Sequence, residues 1–220
     1  ETTVFYGLPG NTEAEIKWAV PLICNTIKAF LNNYSQYASE NFAVVITSYD
    51  KYEDLIQDEI RKQSWPCKLI LAKTEQEKYS ALAGSDMGAV VNGDAVKEAA
   101  VYQLPVVVLN NTSFFQSYFP LLYNSFNSDI NIAINGENYP ECLGQAFPEK
   151  IAEYWGQWFE EPRRRFEIVK RFQEVVLKLL PETNAQAVEE KIDSKAIAEP
   201  KIPFNKYENP EHLAAKKVLE

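Results

Sequence analysis

Short apolar runs alternate with amphipathic segments through the first half of the chain, and this alternation restricts its fold more than any other feature. From residue 13 to residue 31 the apolar side chains recur at helical spacing, with Asn11 or Thr12 available as the helix N-cap. Strands that are separated by helices favour a parallel sheet with helices on both faces. The predicted strands are residues 3–6, 42–47, 67–72, 88–91 and 105–109.

The segments between and after these strands complete a single α/β domain that we predict over residues 1–181, with a Rossmann-like parallel sheet. Residues 130–134 are predicted as a last short strand. The tail, residues 182–220, is charged, rich in Ala and interrupted by prolines, which predicts an extended segment that docks on a partner. Further helices are predicted at residues 52–63, 75–83, 95–102, 113–127, 148–159 and 163–180.

Composition and charge exclude several classes of function. The formal net charge of the 220 residues is −9, and Lys and Arg form no long basic face, which argues against nucleic acid as a partner. No apolar run approaches the roughly 18 residues of a transmembrane helix. His212 is the only histidine, so neither histidine catalysis nor a zinc site is expected. The scattered Cys24, Cys67 and Cys142 are predicted to be buried, reduced thiols.

Two turns between a strand and a helix could face a ligand at the carboxyl edge of the sheet. The first contains Gly10, Asn11 and Thr12, and Glu15 follows on the opening helix. The glycine permits a close turn, and backbone N–H groups in the first helical turn could hold a phosphate. The motif is also compatible with an ordinary turn between a strand and a helix.

The second turn is Asn92-Gly93-Asp94, with Glu98 one helical turn further on. A carboxylate in that position can accept hydrogen bonds from two hydroxyl groups of a sugar. The alternative interpretation is that Asn92 or Asp94 is only the N-cap of the helix.

Together these motifs resemble the C-terminal, donor-binding half of lipid-A-disaccharide synthase, a two-domain glycosyltransferase of the GT-B fold. The resemblance covers about residues 4–180 and rests on the order LPGN…E, SD-x-x-x-VVNGDAVKEAAVYQLPVVV and Pro140-Glu141. It implies that the two turns descend from a site for UDP-2,3-diacylglucosamine, in which Glu98 would bind the ribose. The implied nucleotide-sugar residues are Gly10, Asn11, Thr12, Glu15, Asn92, Gly93, Asp94 and Glu98.

This chain departs from the family pattern where the family binds phosphate. Asn11-Thr12 replaces a Ser-Arg pair, which removes the cationic fork suited to a diphosphate. Asp94 replaces a Thr, and its repulsion of a diphosphate in a partly desolvated pocket should cost on the order of a few kcal/mol. Nothing in the chain resembles the N-terminal domain, which supplies the acceptor site and the general base. We therefore predict no catalytic residue, no metal site and no cofactor.

Three functions are compatible with this pattern. The first is a non-catalytic subunit that keeps the donor-domain fold as part of a larger complex, with residues 182–220 and the aromatic stretch 114–123 as its contacts to other subunits. The second is an active UDP-sugar glycosyltransferase whose acceptor domain is elsewhere. The third is a module that senses a UDP-sugar without turning it over.

The expected location is the matrix side of a mitochondrial membrane complex, with the respiratory chain as one candidate. The use of Asn, Tyr, Phe and Gln, including Asn pairs at 32–33 and 110–111, is typical of AT-rich eukaryotic genomes. Plant members of the family work in mitochondria. A first residue other than Met is compatible with a cleaved presequence and equally with a fragment boundary at Glu1.

Overall fold

The computed structural model describes residues 2–34, 41–48, 50–111, 128–134, 136, 139–143 and 147–179. Its six strands within these ranges are all parallel. They are β1 (Thr3–Leu8), β2 (Phe42–Thr47), β3 (Lys68–Ala72), β4 (Met87–Val91), β5 (Val106–Asn110) and β6 (Glu141–Leu143). They lie side by side in one sheet in the order β3-β2-β1-β4-β5-β6.

A helix follows every strand from β1 to β5, which confirms the predicted Rossmann-like α/β fold. The strand order reverses between β1 and β4, where the chain crosses from one half of the sheet to the other. The helices are α1 (Glu13–Asn33), α2 (Glu53–Arg61), α3 (Glu75–Gly84), α4 (Asp94–Val101), α5 (Asp129–Ile134), α6 (Pro148–Glu160) and α7 (Pro162–Leu179).

The central strand β1 contributes to an apolar core on each face of the sheet, because successive side chains of a strand point to opposite faces. Phe5 packs in the core formed with α1, α2 and α6. Tyr6 packs in the core formed with α3 and α4. Both side chains are fully buried.

Trp155 attaches α6 to the centre of the sheet. Its ring stacks on Phe5 with a centroid distance of 4.8 Å. Its indole N–H donates a hydrogen bond to the backbone oxygen of Gly88 in β4, at 3.1 Å. The ring and the hydrogen bond together fix α6 against two neighbouring strands.

Asp86 links α7 to the amino ends of β1 and β4. Its buried carboxylate accepts a hydrogen bond from the backbone N–H of Val4 at 2.8 Å. Arg165 of α7 places a guanidinium nitrogen 3.8 Å from the other carboxylate oxygen. The last described helix is thereby held to the beginning of the first strand.

The prediction of a strand at residues 130–134 is wrong, because this segment is the helix α5. Glu141 accepts hydrogen bonds from the backbone N–H of Ser128 at 2.9 Å and from the Asn131 side chain at 2.7 Å. Asn131 also accepts from the backbone N–H of Tyr139 and donates to its carbonyl. These bonds hold the segment in a helical turn, and β6 is the strand that pairs with β5 instead.

Burial of the cysteines agrees with the prediction for Cys24 and Cys142, whereas Cys67 is only partly buried. Cys67 lies just before β3, in the chain segment that enters an edge strand, so less structure covers it. None of the described helices combines the length and the apolar character that crossing a bilayer requires. The predicted helix at residues 113–127 and the tail at residues 182–220 lie outside the described residues.

Candidate functional site

A cleft of about 470 Å³ lies at the carboxyl edge of the sheet. β1 and β4 are hydrogen-bonded neighbours there, with Leu8 opposite Val90, and each leads through a short loop into a helix. Open α/β sheets bind their ligands at such a point, where the strand order reverses. The cleft is lined by Asn11, Lys51, Tyr52, Glu75, Lys78, Tyr79, Asp94 and Glu98.

In the first loop, the backbone N–H groups are already bonded to a carboxylate of the chain itself. One oxygen of Glu15 accepts from the N–H groups of Asn11 and Thr12 at 3.0 and 3.1 Å. The Thr12 hydroxyl accepts from the N–H of Glu15, so Thr12 rather than Asn11 is the N-cap of α1. Two backbone donors of the loop, on Asn11 and Thr12, and one of the first helical turn, on Glu15, are therefore bonded within the chain.

Gly10 permits this arrangement. Its φ angle is +97°, in the left-handed region that favours glycine. A Cβ atom at Gly10 would lie 2.6 Å from the Cβ of Glu15. The absence of a side chain at Gly10 thus lets Glu15 fold back over the loop.

In the second loop, Gly93 is the N-cap of α4 with a φ angle of +138° and no side-chain cap. The backbone N–H of Asn92 donates to the Leu109 carbonyl at 2.9 Å, which holds the loop to the end of β5. Asp94 is exposed and forms an ion pair with Lys97 at 3.1 Å. The interpretation of Asn92 or Asp94 as the N-cap is therefore wrong, because the cap is the glycine between them.

Glu98 lies in the second turn of α4 and is bound by Lys78 of α3. The lysine ammonium lies 2.8 Å from one carboxylate oxygen and 2.7 Å from the other. The Lys78 side chain is 11% exposed and the Glu98 side chain 28% exposed, so the ion pair is partly buried. Lys78 also lies 5.6 Å from the centre of the Tyr79 ring.

Lys78 is not among the site residues that the sequence motifs predict. A usable signal was present, because Lys78 precedes Ala81 and Leu82 by three and four positions and therefore shares their buried helix face. A lysine on a buried face requires a carboxylate nearby, but the spacing does not reveal which carboxylate it meets.

Among the residues that line the cleft, carboxylates outnumber lysines by one. Its lining contains the two lysines Lys51 and Lys78 against the three carboxylates Glu75, Asp94 and Glu98. Lys51 lies over the ring of Tyr52 at 5.0 Å. The described residues contain no cluster of three or more His, Cys, Asp or Glu side chains that could hold a metal ion.

The structure brings the residues of both predicted turns to one edge of the sheet. Asn11, Asp94 and Glu98 line the cleft itself. Gly10, Thr12 and Glu15 build the loop after β1, whereas Asn92 and Gly93 build the loop after β4. That these residues belong to a nucleotide-sugar site stays a prediction.

The model of the lipid-A-disaccharide synthetase family matches residues 1–190. The chain belongs to this family. It is 25% identical to the lipid-A-disaccharide synthase of Chromobacterium violaceum over 196 residues, which covers 84% of this chain and 47% of that protein. The synthase of Neisseria meningitidis is 26% identical over 189 residues, which cover 82% of this chain and 46% of that protein.

The synthase of Rhodospirillum centenum is 23% identical over 181 residues, with 80% of this chain and 43% of that protein covered. The chain thus spans about half the length of the curated relatives it matches. Among solved structures, UDP-GlcNAc 2-epimerase from Neisseria meningitidis bound to UDP-GlcNAc superposes with a TM-score of 0.54 at 16% identity. That superposition covers 88% of this chain and 44% of the epimerase, and it supports the assignment of the fold.

Proposed function

We propose that this member of the lipid-A-disaccharide synthase family no longer transfers sugar and is a structural or accessory subunit of a larger protein complex. The observation that carries the proposal is the acidic lining of the cleft, three carboxylates against two lysines. A UDP-sugar brings two negative charges on its diphosphate, which proteins neutralise with Arg, Lys or a bound cation. Lys78 is engaged with Glu98 and therefore leaves little cationic capacity for a phosphate.

The loop after β1 supports the same conclusion. The resemblance places an arginine of the family at position 12, whereas the Thr12 hydroxyl in this chain serves only to cap α1. The backbone N–H groups of Asn11 and Thr12 donate to Glu15. A phosphate would have to displace a carboxylate that already satisfies these donors.

The accessory role rests on the sequence features that suit contacts with other subunits, namely the aromatic stretch 114–123 and the tail 182–220. The proposed location is the matrix side of a mitochondrial membrane complex, with the respiratory chain as one candidate. It is supported by the residue usage and by the mitochondrial location of plant members of the family.

An active UDP-sugar glycosyltransferase with its acceptor domain elsewhere is the second candidate. Its support is the convergence of Asn11, Asp94 and Glu98 on one cleft at the edge where α/β sheets bind nucleotides. A UDP-sugar sensor, the third candidate, would use the same cleft without turnover. UDP-sugar is a ligand of the chain only in these two alternatives.

The decisive experiment is calorimetric titration of the full chain with UDP and with UDP-GlcNAc. The proposal expects no binding in the micromolar range. A micromolar or tighter dissociation constant would contradict it and leave the two alternatives, which a sugar-transfer assay on the native complex then separates.

The variant Thr12→Arg with Asp94→Thr tests the electrostatic explanation. It restores a cation and removes a carboxylate at the two family positions, so UDP binding should become measurable if charge alone prevents it. Thr2→Arg with Glu149→Thr is the matched control, because it changes the net charge equally at exposed positions outside the cleft lining. Binding gained by both variants alike would contradict a local electrostatic cause.

A further inference from the structure

We infer that the cleft contains a site for a primary ammonium group, formed by the Glu98 carboxylate and the Tyr79 ring, and that Lys78 of the same chain occupies it. This inference deepens the proposed function and rests on it in one respect, since it takes the Glu98 carboxylate to be bound by the chain's own lysine rather than by a nucleotide sugar. Lys78 would be a positioning residue that fastens α3 to α4.

The contacts of the ammonium are those of a bound ligand. Both oxygens of Glu98 lie within hydrogen-bond distance of the Lys78 nitrogen, at 2.8 and 2.7 Å. One oxygen, Oε1, accepts a hydrogen bond from the ammonium, whereas Oε2 is in ionic contact with it and has no hydrogen-bond partner among the described residues. The Glu98 carboxylate is therefore engaged by the chain through one hydrogen bond and one ionic contact.

Because the ion pair is partly buried, each of the two charges needs the other to compensate it. The lysine side chain is 11% exposed, which is unusual for a residue that normally keeps its ammonium in water. If one partner of such a pair is removed, the other stays behind as a poorly solvated, uncompensated charge. The exposed pair of Lys17 and Glu13, with side chains 54% and 68% exposed, lacks this dependence.

The Tyr79 ring provides the second wall of the site. Its centre lies 5.6 Å from the ammonium, within the range of a cation–π contact. The ring is itself stacked on Tyr102, the C-cap of α4, at 5.9 Å and an interplanar angle of 15°. The ion pair and the ring pair thus join α3 and α4 at two points.

A site of this kind accepts a small alkylammonium ion once the lysine side chain is removed. We would replace Lys78 by Ala in the full chain and measure the melting temperature as n-propylammonium chloride is added, against sodium chloride at equal ionic strength. The variant should be less stable than the wild type, and propylammonium should recover part of the loss in a saturable manner. Wild type and Lys17→Ala should show no such recovery.

Two further variants test the assignment of the residues. Glu98→Gln added to Lys78→Ala should abolish the recovery, because the carboxylate is then missing. Glu98→Gln alone should accelerate hydrogen exchange of the α3 and α4 amides by about tenfold or more, since it leaves a partly buried ammonium without its partner. Hydrogen exchange of Glu98→Gln also tests the inference if Lys78→Ala does not fold.

Absence of recovery in Lys78→Ala, or unchanged exchange in Glu98→Gln, would overturn the inference. Failure of the proposed function gives a different result, namely tight binding of UDP by the wild type. If UDP binds tightly and propylammonium still rescues Lys78→Ala, the ammonium site stands and the non-catalytic role does not.

Discussion

Gly88 illustrates, at the scale of single residues, how closely the sheet is packed. It lies in β4 beside β1, and a Cβ atom there would lie 2.7 Å from the backbone oxygen of Tyr6. Backbone in the centre of a sheet cannot move away from such a contact without disturbing both cores. The glycine is therefore required by packing, because the space for a methyl group is missing.

We predict that Gly88→Ala lowers the free energy of unfolding by about 1–3 kcal/mol, the usual cost of overpacking a core. Urea denaturation followed by tryptophan fluorescence measures the loss. Ser64→Ala, at an exposed position, serves as the control and should unfold with an unchanged midpoint. An equally unchanged midpoint for Gly88→Ala would show that the strands can separate to admit the methyl group.

Cys67 provides a prediction about reactivity. Burial raises the pKa of its thiol from 9.0 to about 11, with a further contribution from Cys24 nearby. At pH 8 its thiolate fraction should therefore be about a hundredfold lower than that of an unperturbed thiol. Timed alkylation with iodoacetamide, read by mass spectrometry, should give a Cys67 rate that still rises severalfold between pH 10 and pH 11. A rate that has levelled off by pH 10, as expected for a thiol with a pKa of 9.0, would contradict the raised pKa.

At the scale of elements, α3 begins with the same kind of capping box as α1. The Thr74 hydroxyl accepts from the N–H of Glu77, whose carboxylate accepts from the N–H groups of Lys73 and Thr74. These two backbone hydrogen bonds hold the pKa of Glu77 below its usual 4.5, and the bond from Lys73 contributes most. A lowered folded-state pKa means stabilisation that is complete above the unfolded-state pKa and is lost as the pH falls through the folded-state value.

We therefore predict that Glu77→Gln costs about 0.3–1 kcal/mol at pH 7, the usual contribution of a charge at a helix N-terminus. The difference in unfolding free energy between the wild type and Glu77→Gln should disappear as the pH falls below 4.5. Thermal unfolding from pH 7 to pH 3 tests this, with Glu153→Gln, an exposed position outside the first turn of its helix, as control. A difference that stays constant down to pH 3 would contradict the role of the ionised carboxylate.

The sequence predicts those elements that are determined locally. Buried runs such as residues 42–47 become strands because a short, continuous, apolar and β-branched segment favours a strand that is buried on both faces. Residues 130–134 show the limit of this reasoning, because Ile-Asn-Ile-Ala-Ile alternates like a strand and yet forms a helix. Its conformation depends on Glu141 and Tyr139, which are fixed by the tertiary structure.

The candidate site, too, could be predicted from the sequence only in part. The two turns could be found from the sequence because glycine and a following carboxylate stand at fixed spacing after a strand. The partners of the carboxylates could not be found in this way. Glu98 meets Lys78 across twenty positions of the chain, and only the packing of α3 beside α4 brings them together.

At the scale of the whole molecule, the proposed accessory role concerns the assembly of the chain into a larger complex. We predict that the full chain enters its native complex and that residues 1–181 alone do not, because the spaced apolar residues of 182–220 would form the contact. Both forms would be expressed with an affinity tag in the native host, and the amount of complex that co-purifies with each would be compared. Equal recovery would show that the tail is not the anchor, and two well-behaved monomers would contradict the assembly role.

The position of β1 in the middle of the sheet has a consequence for the order in which the protein acquires its structure. Of the six described strands β1 leaves the ribosome before the others, yet its two hydrogen-bonding neighbours are residues 42–47 and 87–91. One edge of β1 therefore stays unpaired until the chain has been made through β4. Closing so long a segment before the contacts form makes this pairing slow. We therefore expect nascent chains that end before β4 to be more prone to aggregate than those that include it.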